Sequence, residues 1–232
     1  MKKVELLFSE LGNIYGEKYN MEYFRRCNPE IQVIETNHKE EPAFLGGDVD
    51  MVYMGCNTEK KQEMVLEALK PHKSKLKEMI DRGMVFLVTG NAVELFGNYI
   101  KDGERKIEGL GLFDFYSERY MNRDRHNSQF IGEFEGMKML GHKSQFSFAY
   151  GDFNKPFISV EKGIGMNPET KNEGIHVNNF FATYSLGPFL IINPGFTKYL
   201  LRLLGLDDGL CFEKEIMEAY EYRLNELQRT IK

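Results

Sequence analysis

Residues 84–88, Met-Val-Phe-Leu-Val, form a short apolar, β-branched run that gives way at once to Thr89-Gly90-Asn91 and then to Ala-Val-Glu-Leu-Phe ending at Gly97. A fully buried strand that turns sharply into a helix fits this order of residues, and such a unit requires a sheet covered on both faces. The rest of the chain repeats the theme. Val4–Phe8, Gln32–Thr36 and Met51–Met54 are further short strand-like runs. Asn20–Arg26, Glu59–Leu69 and Lys73–Arg82 lie between them with helical spacing. Strand and helix in alternation predict a parallel sheet.

The middle of the chain has a different texture. Gly109–Phe115, Phe130–Phe134, Met137–Leu140 and Phe146–Ala149 are short runs parted by Gly and polar clusters, the pattern of antiparallel hairpins inserted beside the main sheet. Glu213–Ile231 reads as a long closing helix. With 232 residues, 42% of them hydrophobic and 18 of them Phe, the chain can bury one large core, so residues 1–232 are expected to form one domain.

A net charge of −5 without a basic block argues against duplex nucleic acid as a partner. No segment reaches the roughly 18 apolar residues of a membrane-spanning helix. The apolar start breaks off at Ser9-Glu10 without a cleavage pattern. Cys27, Cys56 and Cys211 are too far apart to suggest a disulfide framework or a zinc site, and a reducing cytoplasm is the expected compartment. His126, His142 and His176 show no metal-ligand spacing, and no metal site is expected.

The strand-to-helix turn has the form of a nucleophile elbow, where Ser or Cys is held among backbone N–H groups that stabilise an oxyanion. Here the turn offers Thr89, Gly90 and Asn91. Other segments carry a family resemblance: Tyr15–Asn20 with Arg25-Arg26, Asp50–Gln62, Gly163–Asn167, Glu173-Gly174, Ala182–Pro188 and Asn193-Pro194. Taken together, the chain resembles the class I glutamine amidotransferases, in the branch of cobyric acid synthase and lipid II isoglutaminyl synthase. The resemblance implies a three-layer α/β fold, with a flavodoxin-like, mostly parallel sheet and inserted antiparallel strands.

It also implies a setting in cell-wall or cobalamin assembly, no cofactor, a Mur-ligase-like or other synthetase partner, and a small amide or amino-acid ligand. In that family a Cys at the elbow attacks the glutamine amide and a His moves the protons. Matching Leu95-Phe96-Gly97 to the family pattern puts Gly90 at the Cys position and Glu94 at a Gln position. Matching Thr183-Tyr184 and Gly187-Pro188 puts Leu186 at the His position. Neither Gly nor Leu can do this chemistry, so loss of glutamine hydrolysis and a binding or partner role are expected. The competing expectation is an amidohydrolase or amidotransferase with a relocated nucleophile, Cys56 or Thr89.

The pocket is expected to involve Gly55, Cys56, Asn57, Asn91, Glu94, Gln145, Tyr184 and Ser185. For Gly55-Cys56-Asn57-Thr58 the plainer reading is a strand-to-helix connection with Asn57 or Thr58 as cap. For Glu94 it is a carboxylate complementing a helix N-terminus. His176 is the histidine expected to come nearest the site. Asp114 is read with Arg119, Arg123 and Arg125 either as a pocket edge or as a buried ion pair.

Overall fold

In the computed structural model, which describes residues 1–231, the apolar runs line up as the parallel strands of a central six-stranded sheet. In chain order its first four strands are β1 (Lys2–Leu7), β2 (Ile31–Thr36), β3 (Met51–Met54) and β4 (Val85–Thr89). Helix α1 (Lys18–Cys27) joins β1 to β2, and α2 (Glu59–Leu69) and α3 (Lys73–Asp81) lie between β3 and β4. The middle segment supplies β5 (Tyr99–Asp102), β6 (Arg105–Glu108), β7 (Phe115–Arg119), β8 (His126–Phe134), β9 (Met137–Gln145), β10 (Ser147–Gly151), β11 (Ile158–Lys162) and β12 (Asn172–Glu173). The chain then returns to the central sheet with β13 (Ile175–Val177) and β14 (Phe180–Thr183). It ends in α4 (Phe189–Ile192), α5 (Pro194–Leu203) and α6 (Glu213–Thr230).

The order across the central sheet is β13-β14-β4-β3-β1-β2, parallel throughout except for β13. Alternation along β4 explains its uninterrupted apolar sequence. Phe86 and Val88 face a core built with α2 and α3, through Val65, Leu66, Met79 and Ile80. Val85 and Leu87 face the opposite core, with Met21 and Phe24 of α1 and Phe196 and Leu200 of α5. Each face therefore has its own apolar layer, as a two-sided sheet requires.

The inserted strands form two further sheets, one on each side. The sheet β10-β7-β5-β6 contributes Phe115 and Ala149 to the first core, and the sheet β12-β11-β8-β9 contributes Phe130, Phe134 and Met139 to the second. Among them β5 pairs with β7 in parallel; the remaining pairs are antiparallel.

The structure departs from the sequence reading in several places, β11 to β14 with α4 and α5 being elements that the reading did not assign. The turn after β4 continues as a 3-10 helix over Gly90–Phe96, not as an α-helix. Gly109–Asp114 is irregular, and strand structure resumes only at Phe115. Strands β5 and β6 were absent from the reading because only one face of this hairpin is covered and its exposed positions are Lys, Arg and Glu. Arg119 pairs with Asp102 of β5 at 3.1 Å and lies 3.5 Å from Glu63, whereas Asp114 accepts a hydrogen bond from Asn98 Nδ2 at 2.9 Å. The ion pair is thus Arg119–Asp102, half-buried and made across neighbouring strands. No helix among the described residues is long and apolar enough to cross a membrane.

Candidate functional site

Three strands of the central sheet release their chains at the same edge: β3 into Gly55-Cys56-Asn57, β4 into Gly90-Asn91, and β14 into Tyr184-Ser185-Leu186. The carboxyl ends of parallel strands are where open α/β sheets bind ligands, because the loops diverge there. A cavity of about 100 Å³ lies at this edge.

Gly90 stands at the centre of it. Its φ of 63° is left-handed, and its N–H donates to Ser185 O at 3.2 Å. A Cβ on Gly90 would lie 2.5 Å from Cys56 Cβ, 2.9 Å from Cys56 Sγ and 3.1 Å from Leu186 Cδ2. The space a side chain would need at this turn is therefore filled by Cys56 and Leu186. Both are buried, at 5% and 2% exposure.

The backbone amide of Asn57, one residue beyond Cys56, is also taken. It donates to Asn91 Oδ1 at 2.9 Å, and Asn91 Nδ2 donates back to Asn57 O at 2.8 Å. The Asn91 side chain thus closes a two-bond ring with the backbone of Asn57. The Cys56 thiol donates to the same Asn91 Oδ1 at 3.4 Å. Burial pushes this thiol up to about 12, and the carboxylates of Glu17, Glu94 and Glu59 push in the same direction. At neutral pH it is a protonated thiol, not a thiolate.

Thr89 faces the other way. Its hydroxyl donates to Glu17 Oε2 at 2.7 Å and lies 2.9 Å from Tyr53 OH, inside a fully buried cluster. Tyr53 OH also donates to Glu17 Oε2, at 2.6 Å, and Gly187 N–H donates to Glu17 Oε1 at 2.8 Å. Burial raises the Glu17 carboxyl above its usual range. Thr89 is absent from the cavity lining.

Of the residues read from the sequence, Cys56, Asn57, Gly90, Asn91, Gln145, Tyr184 and Leu186 line the cavity together. Gly55, Glu94 and Ser185 do not. Gly55 is pressed against Gly12 and Glu17, where a Cβ would come within 2.6 Å of either. Ser185 Oγ accepts from His142 N–H at 3.3 Å.

Glu94 is buried behind the wall. It accepts from Gln62 Nε2 at 3.0 Å, from Tyr184 OH at 3.0 Å and from Ser147 Oγ. Burial raises its carboxyl too. Gln62 in turn accepts from Arg119 at 2.7 Å, so the network extends to the β5–β7 sheet. Thr58, not Asn57, caps α2, accepting from Lys61 N–H at 3.4 Å.

His176 does not approach the cavity; its ring stacks on Phe181 at 4.7 Å. Among the described residues, no histidine lines the cavity. Ile14, Tyr15, Arg125 and Ser147 complete parts of the wall that the sequence did not single out together. Arg125 donates to Tyr15 OH at 2.7 Å, across 110 positions of chain, and no local spacing could have signalled that. Glu17 was likewise missed as the buried centre beneath the turn, because a Glu in a polar loop looks solvated.

Comparison with known proteins gives this geometry a context. The model of the CobB/CobQ-like glutamine amidotransferase domain matches residues 3–193. The GatD subunit of the glutamine-hydrolysing lipid II isoglutaminyl synthase from Staphylococcus aureus N315 is 31% identical over 223 residues, covering 95% of this chain and 89% of that one. The subunit of the same name from Streptococcus pneumoniae R6 is 26% identical, covering 92% and 88%. Among solved structures, PurLQS from Thermotoga maritima superposes with a TM-score of 0.58 at 10% identity, covering 96% of this chain and 99% of that one. A glutamine amidotransferase crystal structure gives 0.59 at 12%, covering 87% and 99%. These two likenesses concern the fold.

Proposed function

The chain belongs to the CobB/CobQ-like glutamine amidotransferase family, and from that premise we propose that it is a subunit that has kept the glutaminase fold and lost the glutaminase reaction. In this reading Gly90 and Leu186 occupy the family's nucleophile and base positions. The protein acts in the cytoplasm beside a Mur-ligase-like synthetase that amidates a cell-wall precursor. The relatives named as subunits of lipid II isoglutaminyl synthase support the choice of setting and the kind of partner.

The observation that carries the proposal is the filling of the turn. Cys56 and Leu186 occupy the volume around Gly90 in which a nucleophile would stand. The Asn57 amide, which could face an oxyanion, is hydrogen-bonded to Asn91 instead. Acyl transfer needs an activated nucleophile, a base and free N–H donors at one point. Here a protonated thiol, a leucine and an occupied amide meet there. Cys56 with its raised pKa and Thr89 turned into the Glu17 cluster are both poor replacements.

Ammonia release from glutamine tests the proposal. Wild type should release none above the blank. Restoring activity should take four changes together: Cys56→Gly to make room, Gly90→Cys, Leu186→His and Asn91→Gly to free the amide. Gly90→Cys with Leu186→His alone should stay silent, because the new Cβ would meet Cys56 at 2.5 Å. Turnover by wild type would overturn the reading, and its loss in Cys56→Ala would install the relocated nucleophile instead.

A further inference from the structure

Cys27 and Cys211 stand 184 positions apart in the chain and side by side in the fold. Cys27 is the last residue of α1, and Cys211 lies in the loop that leads from α5 into α6. The backbone N–H of Cys211 donates to Cys27 Sγ at 3.3 Å, and the Cys211 thiol donates to Arg26 O, one residue before Cys27, at 2.7 Å. An amide in contact with the other residue's sulfur keeps the two α-carbons within about 7 Å, the span across which a disulfide can close. Turning towards Cys27 costs the Cys211 thiol its hydrogen bond to Arg26 O.

The two thiols act on each other already. Burial pushes the Cys27 thiol up, and Cys211 pushes it the same way, both as a neighbouring charge and as a side-chain hydrogen-bond partner. Both residues are partly exposed, unlike the buried Cys56, so a small reagent can reach them. Among the described residues no group of three or more His, Cys, Asp or Glu side chains could hold a metal ion, which leaves the pair to thiol chemistry.

The loop that carries Cys211 is the entrance to α6, and that entrance is lightly held. Phe212, between Cys211 and the helix, has a left-handed φ of 55° and a side chain 68% exposed, so it adds backbone strain without burial. Within α6 itself only Leu227, near the far end, is buried. The near end is tied by the Lys198–Glu213 ion pair and by Leu210 N–H donating to Glu213 Oε2 at 3.3 Å. A covalent link from Cys211 to α1 would hold this end where few other contacts do.

We propose that Cys27 and Cys211 are a redox site: they take up a reversible intramolecular disulfide from a small-molecule disulfide of the glutathione class, and the bond clamps the entrance of α6 to the end of α1. One thiolate attacks a sulfur of oxidised glutathione and expels one glutathione thiolate. The second protein thiolate then attacks the mixed disulfide and expels the other. The protein loses two protons and two electrons, and one oxidised glutathione becomes two reduced ones. In a reducing compartment the pair rests as two thiols and closes under oxidative challenge. The inference is independent of the proposed loss of glutaminase chemistry.

Equilibrating the intact wild-type protein in buffers of reduced and oxidised glutathione, with peptide mapping by mass spectrometry, tests this. A Cys27–Cys211 disulfide is expected, without retained glutathione and with Cys56 still a free thiol. The equilibrium should lie at least tenfold further towards the bond in the folded protein than in urea, because the fold holds together two thiols that the open chain separates by a long loop. Cys27→Ser should instead retain one glutathione on Cys211, having no second thiol to displace it. Chymotryptic cleavage after Phe212 should be at least tenfold slower in the disulfide form than in the reduced one. Thiols that stay free, glutathione retained on wild type, bonds between molecules, or an equilibrium no more favourable than in urea would overturn the site, and equal cleavage rates would overturn the clamp. If Cys27→Ser does not fold, the wild-type map and equilibrium decide.

Discussion

Gly90 shows how a single position can depend on its neighbour. Its left-handed φ and the 2.5 Å approach to Cys56 Cβ act together against any side chain. Gly90→Ala should therefore destabilise the fold by about 2–3 kcal/mol, from backbone strain plus overpacking. Cys56→Gly should return part of that loss, since it removes the atom in the way. Urea denaturation of both single variants and the double variant would measure the coupling, and a value within experimental error of zero would mean the turn relaxes without regard to Cys56. The resemblance places Gly90 at the family's nucleophile position and Leu186 at its base position. The distances add that Cys56 packs directly against Gly90, leaving no room there for a Cβ.

At the scale of elements, the inserted sheets are tied to the central one by buried polar groups. Lys143 of β9 is fully buried; its ammonium donates to Ile164 O at 3.1 Å, to Gly165 O at 2.5 Å and to Glu173 Oε2 at 2.5 Å. Glu173 of β12 uses its other oxygen to accept from Thr183 Oγ1 and Tyr184 N–H, both at 2.8 Å, at the end of β14. One ion pair thus fastens two strands of the third sheet to the strand that feeds Leu186 into the site.

Lys143→Met should cost about 3–5 kcal/mol, because it breaks a buried ion pair by removing one partner. Lys143→Met with Glu173→Gln should cost less than Lys143→Met alone; chemical denaturation of the two would check this, and a larger loss in the double variant would refute it. The first four strands of the central sheet were readable to within a residue or two, as with Met51–Met54, because burial on both faces dictates their composition, whereas β8 and β9 run four and five residues beyond their apolar stretches into polar ones. The β5–β6 hairpin, the Arg119–Asp102 pair and the Cys27–Cys211 contact were not readable. In the last of these, Cys211 N–H donates to Cys27 Sγ at 3.3 Å across 184 positions of chain. Such partners are set by topology, and single-sequence periodicity carries no information about them.

For the whole molecule, the buried carboxyls set how stability responds to pH. Burial raises both Glu17 and Glu94 above the values they hold in an unfolded chain. The folded state therefore binds more protons than the unfolded one between the two sets of values. Their stabilising contribution is complete below about pH 4, the unfolded glutamate value, and is lost as pH rises through the folded values. Glu17→Gln should flatten this decline, since an amide can accept from Gly187 N–H and donate to the Tyr53 and Thr89 hydroxyls without titrating. Urea midpoints at pH 5, 6.5 and 8 would test it, and an equally steep fall in the variant would locate the dependence elsewhere.

The ring that Asn91 closes on Asn57 has a consequence on a longer timescale. Under the proposed reading, a lineage that regained a thiol at position 90 would gain nothing while Cys56, Asn91 and Leu186 stayed as they are. Each separate reversal would lower stability before any turnover appeared. The packing at this turn would then act as an evolutionary ratchet, leaving descendants free to find new uses for the cavity but with no gradual route back to the old one.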